Sequence, residues 1–177
     1  MARLNQIQLR FDPLQDRLLM RMNTTDNAEV RLWMTRRFVK VLWPILQKML
    51  ESDAQVSQQQ DRQAKDAILA FQQEQAVSNT DFKTPYRDEE VQQVLLGEEP
   101  ILLSKIQLRK GKQDNQILSL YPEEGEGVNL TLDTRLLHSF VRLLSDGVKK
   151  ADWQLDLDVV KPPGVGTVAA PPGSRLN

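Results

Sequence analysis

The residues of this 177-residue chain that could do chemistry are few and scattered. There is one histidine, His138, and no cysteine. Without thiols there are no disulfides, thiolate metal sites or cysteine nucleophiles, and nothing points to an oxidising compartment. A histidine base needs a nucleophile and an orienting partner, and no spacing around His138 supplies either. It falls on the polar side of the helix that carries it. The carboxylates at Glu123, Glu124 and Glu126 surround Gly125 and Gly127 and read as a solvated turn, not a cation site. Asp156 and Asp158 alternate with leucines, a pattern that discourages pairing at a strand edge. No GxGxxG or GxxxxGK[ST] pattern cradles a phosphate. The expectation is a protein that is not an enzyme, with no cofactor and no metal.

Arginine is the one residue type with a suggestive distribution. Residues 1–51 hold nine Lys and Arg against five Asp and Glu, and residues 52–100 hold four against ten. Most of the early excess lies on three alternating segments. Ile7, Leu9 and Phe11 alternate with Gln8 and Arg10; Leu18, Met20 and Met22 with Arg17, Leu19 and Arg21; Val30, Leu32 and Met34 with Arg31 and Trp33. Period-two alternation predicts half-buried strands. If the apolar set faces a core, then Arg10, Arg17, Arg21, Arg31 and Trp33 share the opposite face. Arginines around a tryptophan can grip phosphates while a base stacks on the indole. They can equally form a protein-binding hot spot.

The elements that would position these residues occur twice. Ile7-Gln8-Leu9-Arg10 recurs as Ile106-Gln107-Leu108-Arg109, which places Arg109 where Arg10 stands. Strands are predicted over 101–109, 116–121 and 128–132, and a helix follows each set. At about 100° per residue, Phe38, Val39, Leu42, Trp43, Ile45, Leu46, Met49 and Leu50 fall in one arc. Leu136, Leu137, Phe140, Val141, Leu143, Leu144 and Val148 fall in the same arc of the second helix, with His138, Ser139 and Ser145 outside it. Thr35 and Asp133 stand where N-caps belong, and Pro44 falls on the solvent side of its helix. The reading is an α+β fold. A duplicated β-β-β-α unit with pseudo-twofold symmetry forms antiparallel sheets covered by helices, each helix over its own strands, with an extra connecting helix and a C-terminal strand.

Residues 1–160 are expected to form a single compact domain of two repeats, 5–51 and 101–160, joined by a helical connector over 52–100. Ala64, Ala67, Ile68 and Phe71 give the connecting helix a thin apolar stripe, by which it would pack lightly on the domain or dock a partner. Asp88 and Gly97 bracket a short helix. Trp153, Leu155, Leu157 and Val159 alternate with Gln154, Asp156 and Asp158 as the C-terminal strand. The Pro/Gly/Ala-rich residues 161–177 are expected to be a disordered tail. No signal-like or membrane-spanning run occurs, so a cytoplasmic location without membrane contact is the expectation.

Sheet-then-helix units used in pseudo-twofold pairs resemble, in topology, the Whirly and Pur-type single-stranded nucleic-acid binders, whose units carry four strands before the helix where three are found here. The resemblance implies single-stranded nucleic-acid binding by a sheet face and transfers no residues. Two functions follow. The first is a non-catalytic interaction or scaffold protein that binds a protein partner or itself. The second is single-stranded DNA or RNA binding. The residues in question for either are Arg10, Arg17, Arg21, Arg31, Trp33 and Arg109.

Overall fold

The first sheet is a meander whose turns are written in its side chains. In the computed structural model, which describes residues 4–88, 91–112 and 115–157, β1 (Leu4–Asp12), β2 (Arg17–Thr24) and β3 (Ala28–Thr35) pair antiparallel. Asp12 closes the first turn by accepting from the amides of Leu14 and Gln15 at 2.9 and 3.0 Å. Asn27 closes the second in the left-handed region, at φ 59°. The register puts Leu9, Met20 and Leu32 in one cross-strand row and Phe11, Leu18 and Met34 in the next, all on the core side. A second meander, β6 (Lys105–Lys110), β7 (Gln116–Tyr121) and β8 (Val128–Leu132), makes the other sheet. Gly127 is obligatory there, because a Cβ would lie 2.2 Å from the carbonyl oxygen of Leu120.

Each meander feeds a helix through a capped start. Thr35 accepts from the amide of Phe38 to open α1 (Arg36–Glu51), and Asp133 from that of Leu136 to open α4 (Thr134–Ala151). Between them lie α2 (Ala54–Ser57), α3 (Arg62–Asn79) and two short strands, β4 (Gln93–Val94) and β5 (Ile101–Leu102). The chain is thus mixed α+β, with core residues from both sheets and all four of these helices in one cluster. No helix among the described residues is long and apolar enough to cross a membrane.

Several expectations need correction. The strand expected over 101–109 is split between the sheets. Ile101 and Leu102 run parallel to Leu32 and Trp33, and the chain crosses at buried Leu103 into β6. The short helix expected between Asp88 and Gly97 does not extend through the segment: Asp88 has 3₁₀ geometry, but β4 runs parallel to Ala28 and Glu29, and Leu96 and Gly97 turn at positive φ. Residues 89–90 of that helix lie outside the described residues. The first sheet is thereby four strands wide. The helices do not each cover only their own strands. α4 lies across β1 and β2 of the first sheet, while the end of α1 reaches the second, where Gln116 donates to the carbonyl of Met49 at 2.7 Å.

The connecting helix packs on the domain only partly by the expected stripe. α3 meets α4 through Leu69, Gln72, Gln73 and Ala76; of the stripe, Ile68 lies half-buried against the core and Ala64 is half-buried, whereas Ala67 and Phe71 are exposed, Phe71 at 59 %. Because α3 sits there, His138, Ser139 and Ser145 are buried and not on a solvated side. Residues 153–157 form no strand, since Asp152 and Gln154 both adopt positive φ. Trp153 instead turns inward, meets Phe11 edge-on at 6.2 Å and donates its indole N–H to Asp16 at 2.7 Å. The rest of the expected strand and the tail over 161–177 lie outside the described residues.

α4 can approach the first sheet because Gly147 has no side chain. A Cβ there would meet Leu18 at 3.3 Å and Leu9 at 4.0 Å. Gly147→Val should lower stability by about 1–3 kcal/mol through overpacking. Gly147→Ala should be nearly neutral, since about 1 kcal/mol of helix preference offsets pressure on the flexible tip of Leu18. Urea unfolding of the two variants checks this.

Candidate functional site

The outer face of the first sheet carries the arginines, and strand register sets their neighbours. One row runs Gln8, Arg21, Arg31, and the next Arg10, Leu19, Trp33, Leu102. Asp12, Arg17 and Thr35 form the row at the end of the sheet, and Asn23 and Glu29 pair at the other end. Five of the six singled-out residues therefore share a face. The sixth, Arg109, lies on β6 of the second sheet, where it makes long 3.4 Å hydrogen bonds to Ser119 and Tyr121.

The five do not remain equally available. Glu29, fully buried, takes Arg21 in a two-pronged grip at 2.9 and 3.3 Å and also accepts from Arg31. Burial alone would push the Glu29 carboxyl up, but its hydrogen bonds from Arg21 and Arg31 outweigh that and hold it below the usual range. The segment around Tyr86 then lies over this half of the face. Tyr86 donates its hydroxyl to Glu29 at 3.1 Å, its ring sits 4.4 Å from the Arg21 guanidinium, and Asp88 completes the clamp on Arg21. Gln6 pins the same segment through Pro85 and Arg87. Burial and the nearby Glu29 charge raise the Tyr86 hydroxyl above its ordinary range, so it stays protonated and donating. The cover is residues 85–88 of the connector, beyond the end of α3. Arg21 and Arg31 are structural cations. A signal for this was present: Glu29, Arg31 and Trp33 are spaced two apart and must share a face.

The open half is Arg10, Arg17, Leu19, Trp33 and Leu102. Leu102, unforeseen because its strand was assigned to the other sheet, is 43 % exposed beside Trp33. Arg10 and Arg17 make no ion pair among the described residues. The arrangement is an apolar ladder centred on an indole and rimmed by two uncommitted guanidinium groups.

A second polar cluster joins the helices. Asp53 caps α2, accepts from Gln72 at 3.2 Å and accepts from Thr134 at 2.7 Å. Gln72 and Gln73 contact the two ring nitrogens of His138 at 3.2 and 2.8 Å. A water-sized recess beside it is lined by Met49, Asp53, Gln116, Thr134 and His138. Burial pushes His138 down to about 4, against the pull of Asp53. Burial would raise Asp53, but the hydrogen bonds from Thr134, Gln72 and the α2 amides outweigh it and lower its pKa. Among the described residues the ring's hydrogen-bond partners are Gln72 and Gln73, and the cluster joins α2, α3 and α4 as a polar seam. Among the described residues no three His, Asp or Glu converge as a metal site would require.

No known protein family, curated protein or solved structure matches the chain.

Two outcomes follow from these groups. Glu29→Ala leaves Arg31 without its counter-charge, Arg21 with Asp88 alone and Tyr86 without its acceptor, and should cost about 3 kcal/mol in chemical unfolding. His138 binds its proton more weakly folded, at about 4, than unfolded, near its ordinary 6.5. Between those values only the unfolded chain is protonated, so stability should fall as pH drops from about 6.5 to about 4, by up to about 3 kcal/mol. Unfolding curves across that range should lose most of this slope in His138→Asn. A residual loss at lower pH should remain from Asp53 and Glu29, whose stabilisation disappears as their lowered pKa values are crossed.

Proposed function

We propose that this protein is a non-catalytic interaction scaffold, and that its partner surface is the open half of the first sheet's outer face. The observation that carries the proposal is the cross-strand ladder Arg10–Leu19–Trp33–Leu102, with Arg17 on the adjoining row. Tryptophan and arginine dominate protein hot spots, and leucines on both sides of the indole suit a partner's apolar side chains better than a stacked base. The loss of Arg21 and Arg31 to Glu29 further reduces the charge available to a phosphate backbone. The preferred partner is an apolar segment bearing carboxylates that meet Arg10 and Arg17.

The same proposal includes the origin of the scaffold. The two β-β-β-α segments are copies of one unit related by a pseudo-twofold axis, each lending its helix to the other's sheet. The recurrence of Ile-Gln-Leu-Arg on the first strand of each meander, with the second and fourth residues of the motif in equivalent facing positions, supports this. So do the matching caps at Thr35 and Asp133. A unit of three strands and one helix is near the minimum for a stable core, and mutual covering enlarges that core.

The competing use, single-stranded nucleic-acid binding, draws on Arg10 and Arg17, which make no ion pair among the described residues and lie on the same face as Trp33. One set of measurements separates the two. Immobilised wild-type protein should retain specific protein partners that Trp33→Ala and Arg17→Glu release, with affinity for an identified partner falling about 30-fold for the tryptophan. Unfolding midpoints recorded in parallel separate lost binding from lost folding. Mixed-sequence single-stranded oligonucleotides should show no binding at low salt. Salt-sensitive oligonucleotide binding abolished by Trp33→Ala would transfer the site to the nucleic-acid reading.

A further inference from the structure

A different surface, independent of the Trp33 face, pairs an empty strand edge with a segment of matching pattern. β6 is the outer strand of the second sheet, and among the described residues it pairs only with β7. Gly111 donates to Asn115 at the hairpin end, so by the antiparallel register the backbone groups of Ile106, Leu108 and Lys110 face away from β7. No helix covers this strand as α4 covers β1, and Leu108 is 38 % exposed on the core-side face. The opposite face presents Lys105, Gln107 and Arg109.

Residues 155–157 read Leu-Asp-Leu, the alternation of a strand, yet among the described residues they pair with no strand, and Leu157 donates instead to the carbonyl of Leu155 at 3.0 Å, a local turn that docking would open. Leu155 and Leu157 sit half-buried at the rim of the core and Asp156 is exposed. Laid antiparallel along β6 with Leu157 opposite Leu108, this segment puts Leu157 beside Leu108 and Leu155 along the stem of Lys110 on one face, and Asp156 beside Arg109 on the other. The opposite signs on the two edges are the reverse of the like-charge contact that pairing two β6 edges would create.

We infer that the segment around Asp156 of one copy adds as a strand to β6 of a second copy, and that the exchange is reciprocal and closes a twofold dimer. The donor's own β6 is a poor acceptor. The segment starts at Trp153, which is fastened to Phe11 and Asp16 at the end of the first sheet, whereas β6 belongs to the second. Docking takes Gln154 out of its left-handed φ of 52° into extended backbone, and it satisfies an edge that otherwise invites uncontrolled pairing. Two copies presenting the same donor and acceptor to each other form an isologous interface that terminates at two.

The absence of native cysteine makes the test direct. A copy carrying Arg109→Cys, mixed with one carrying Asp156→Cys and oxidised, should give a disulfide-linked pair. A Lys48→Cys copy in place of Arg109→Cys should not. In sedimentation, the unmodified protein should dimerise with a dissociation constant that Arg109→Glu raises about tenfold, and mixing Arg109→Glu with Asp156→Arg should restore association. A chain that stays monomeric to about 0.1 mM, a cross-link that forms only within a chain carrying both cysteines, or a dimer indifferent to Arg109→Glu overturns the proposal. None of these results bears on partner capture by Trp33.

Discussion

The burial of α4 against β1 and β2 is the contact on which the rest of the structure depends. A three-stranded meander with one amphipathic helix stands near the lower limit for independent stability. Here the helix belonging to the second meander covers the first, with Gly147 against Leu18. The end of α1, in turn, meets Gln116 of the second. Residues more than a hundred positions apart are therefore required in each other's core. Neither half can be removed without opening the other, and the intervening segment becomes part of the fold.

That segment has two structural duties, each done with polar atoms. α3 is attached to α4 by glutamine, with Gln72 and Gln73 on the ring of His138 and Gln72 also on Asp53. Buried polar pairs of this kind fix one register between helices, because any other leaves a donor or acceptor empty. The later part of the connector supplies β4 and β5, which extend the first sheet beyond β3 through bonds such as those from Leu95 to Glu29 and Leu103 to Trp33, at 2.7 and 3.0 Å. The connector thus covers the side of α4 that faces away from the sheet and widens the sheet itself.

Much of this was legible in the amino-acid order. Alternation in β1 to β3 and β6 to β8 and the apolar arcs of α1 and α4 are statements about local periodicity, and local periodicity is what a sequence displays. What it did not display is which surface meets which. His138 lies on the hydrophilic flank of its helix, and only the docking of α3 buries it. In α3 the buried face is rotated from the weak apolar stripe: Ile68 keeps its place against the core, but Leu69 and Ala76 with Gln72 and Gln73 face α4 while Ala67 and Phe71 are left outside. Ile101 and Leu102 continue the pattern of the strand after them, so the break at Leu103 is invisible without the neighbouring sheet. The alternation from Trp153 to Leu157 failed locally because Trp153 gains more by burial against Phe11 with a bond to Asp16 than by staying in line.

The candidate surface shows the same division between what is local and what is not. That Arg10, Arg17, Arg21, Arg31 and Trp33 share a face follows from parity alone. How many remain cations toward solvent depends on Glu29, which parity puts on the same face, and on Tyr86 and Asp88, which arrive from more than fifty residues away. A buried carboxylate with two guanidinium groups is tolerable only when every oxygen is satisfied, and Tyr86 supplies the last donor. The face is consequently divided. One half has its charge neutralised and roofed by residues 85–88. The other half keeps an indole between leucines with arginine at the rim. A continuous basic sheet would track a polyanion. A divided one, half closed and half apolar, offers only a short stretch of uncovered surface, and it is this division that the proposed protein-binding role rests on.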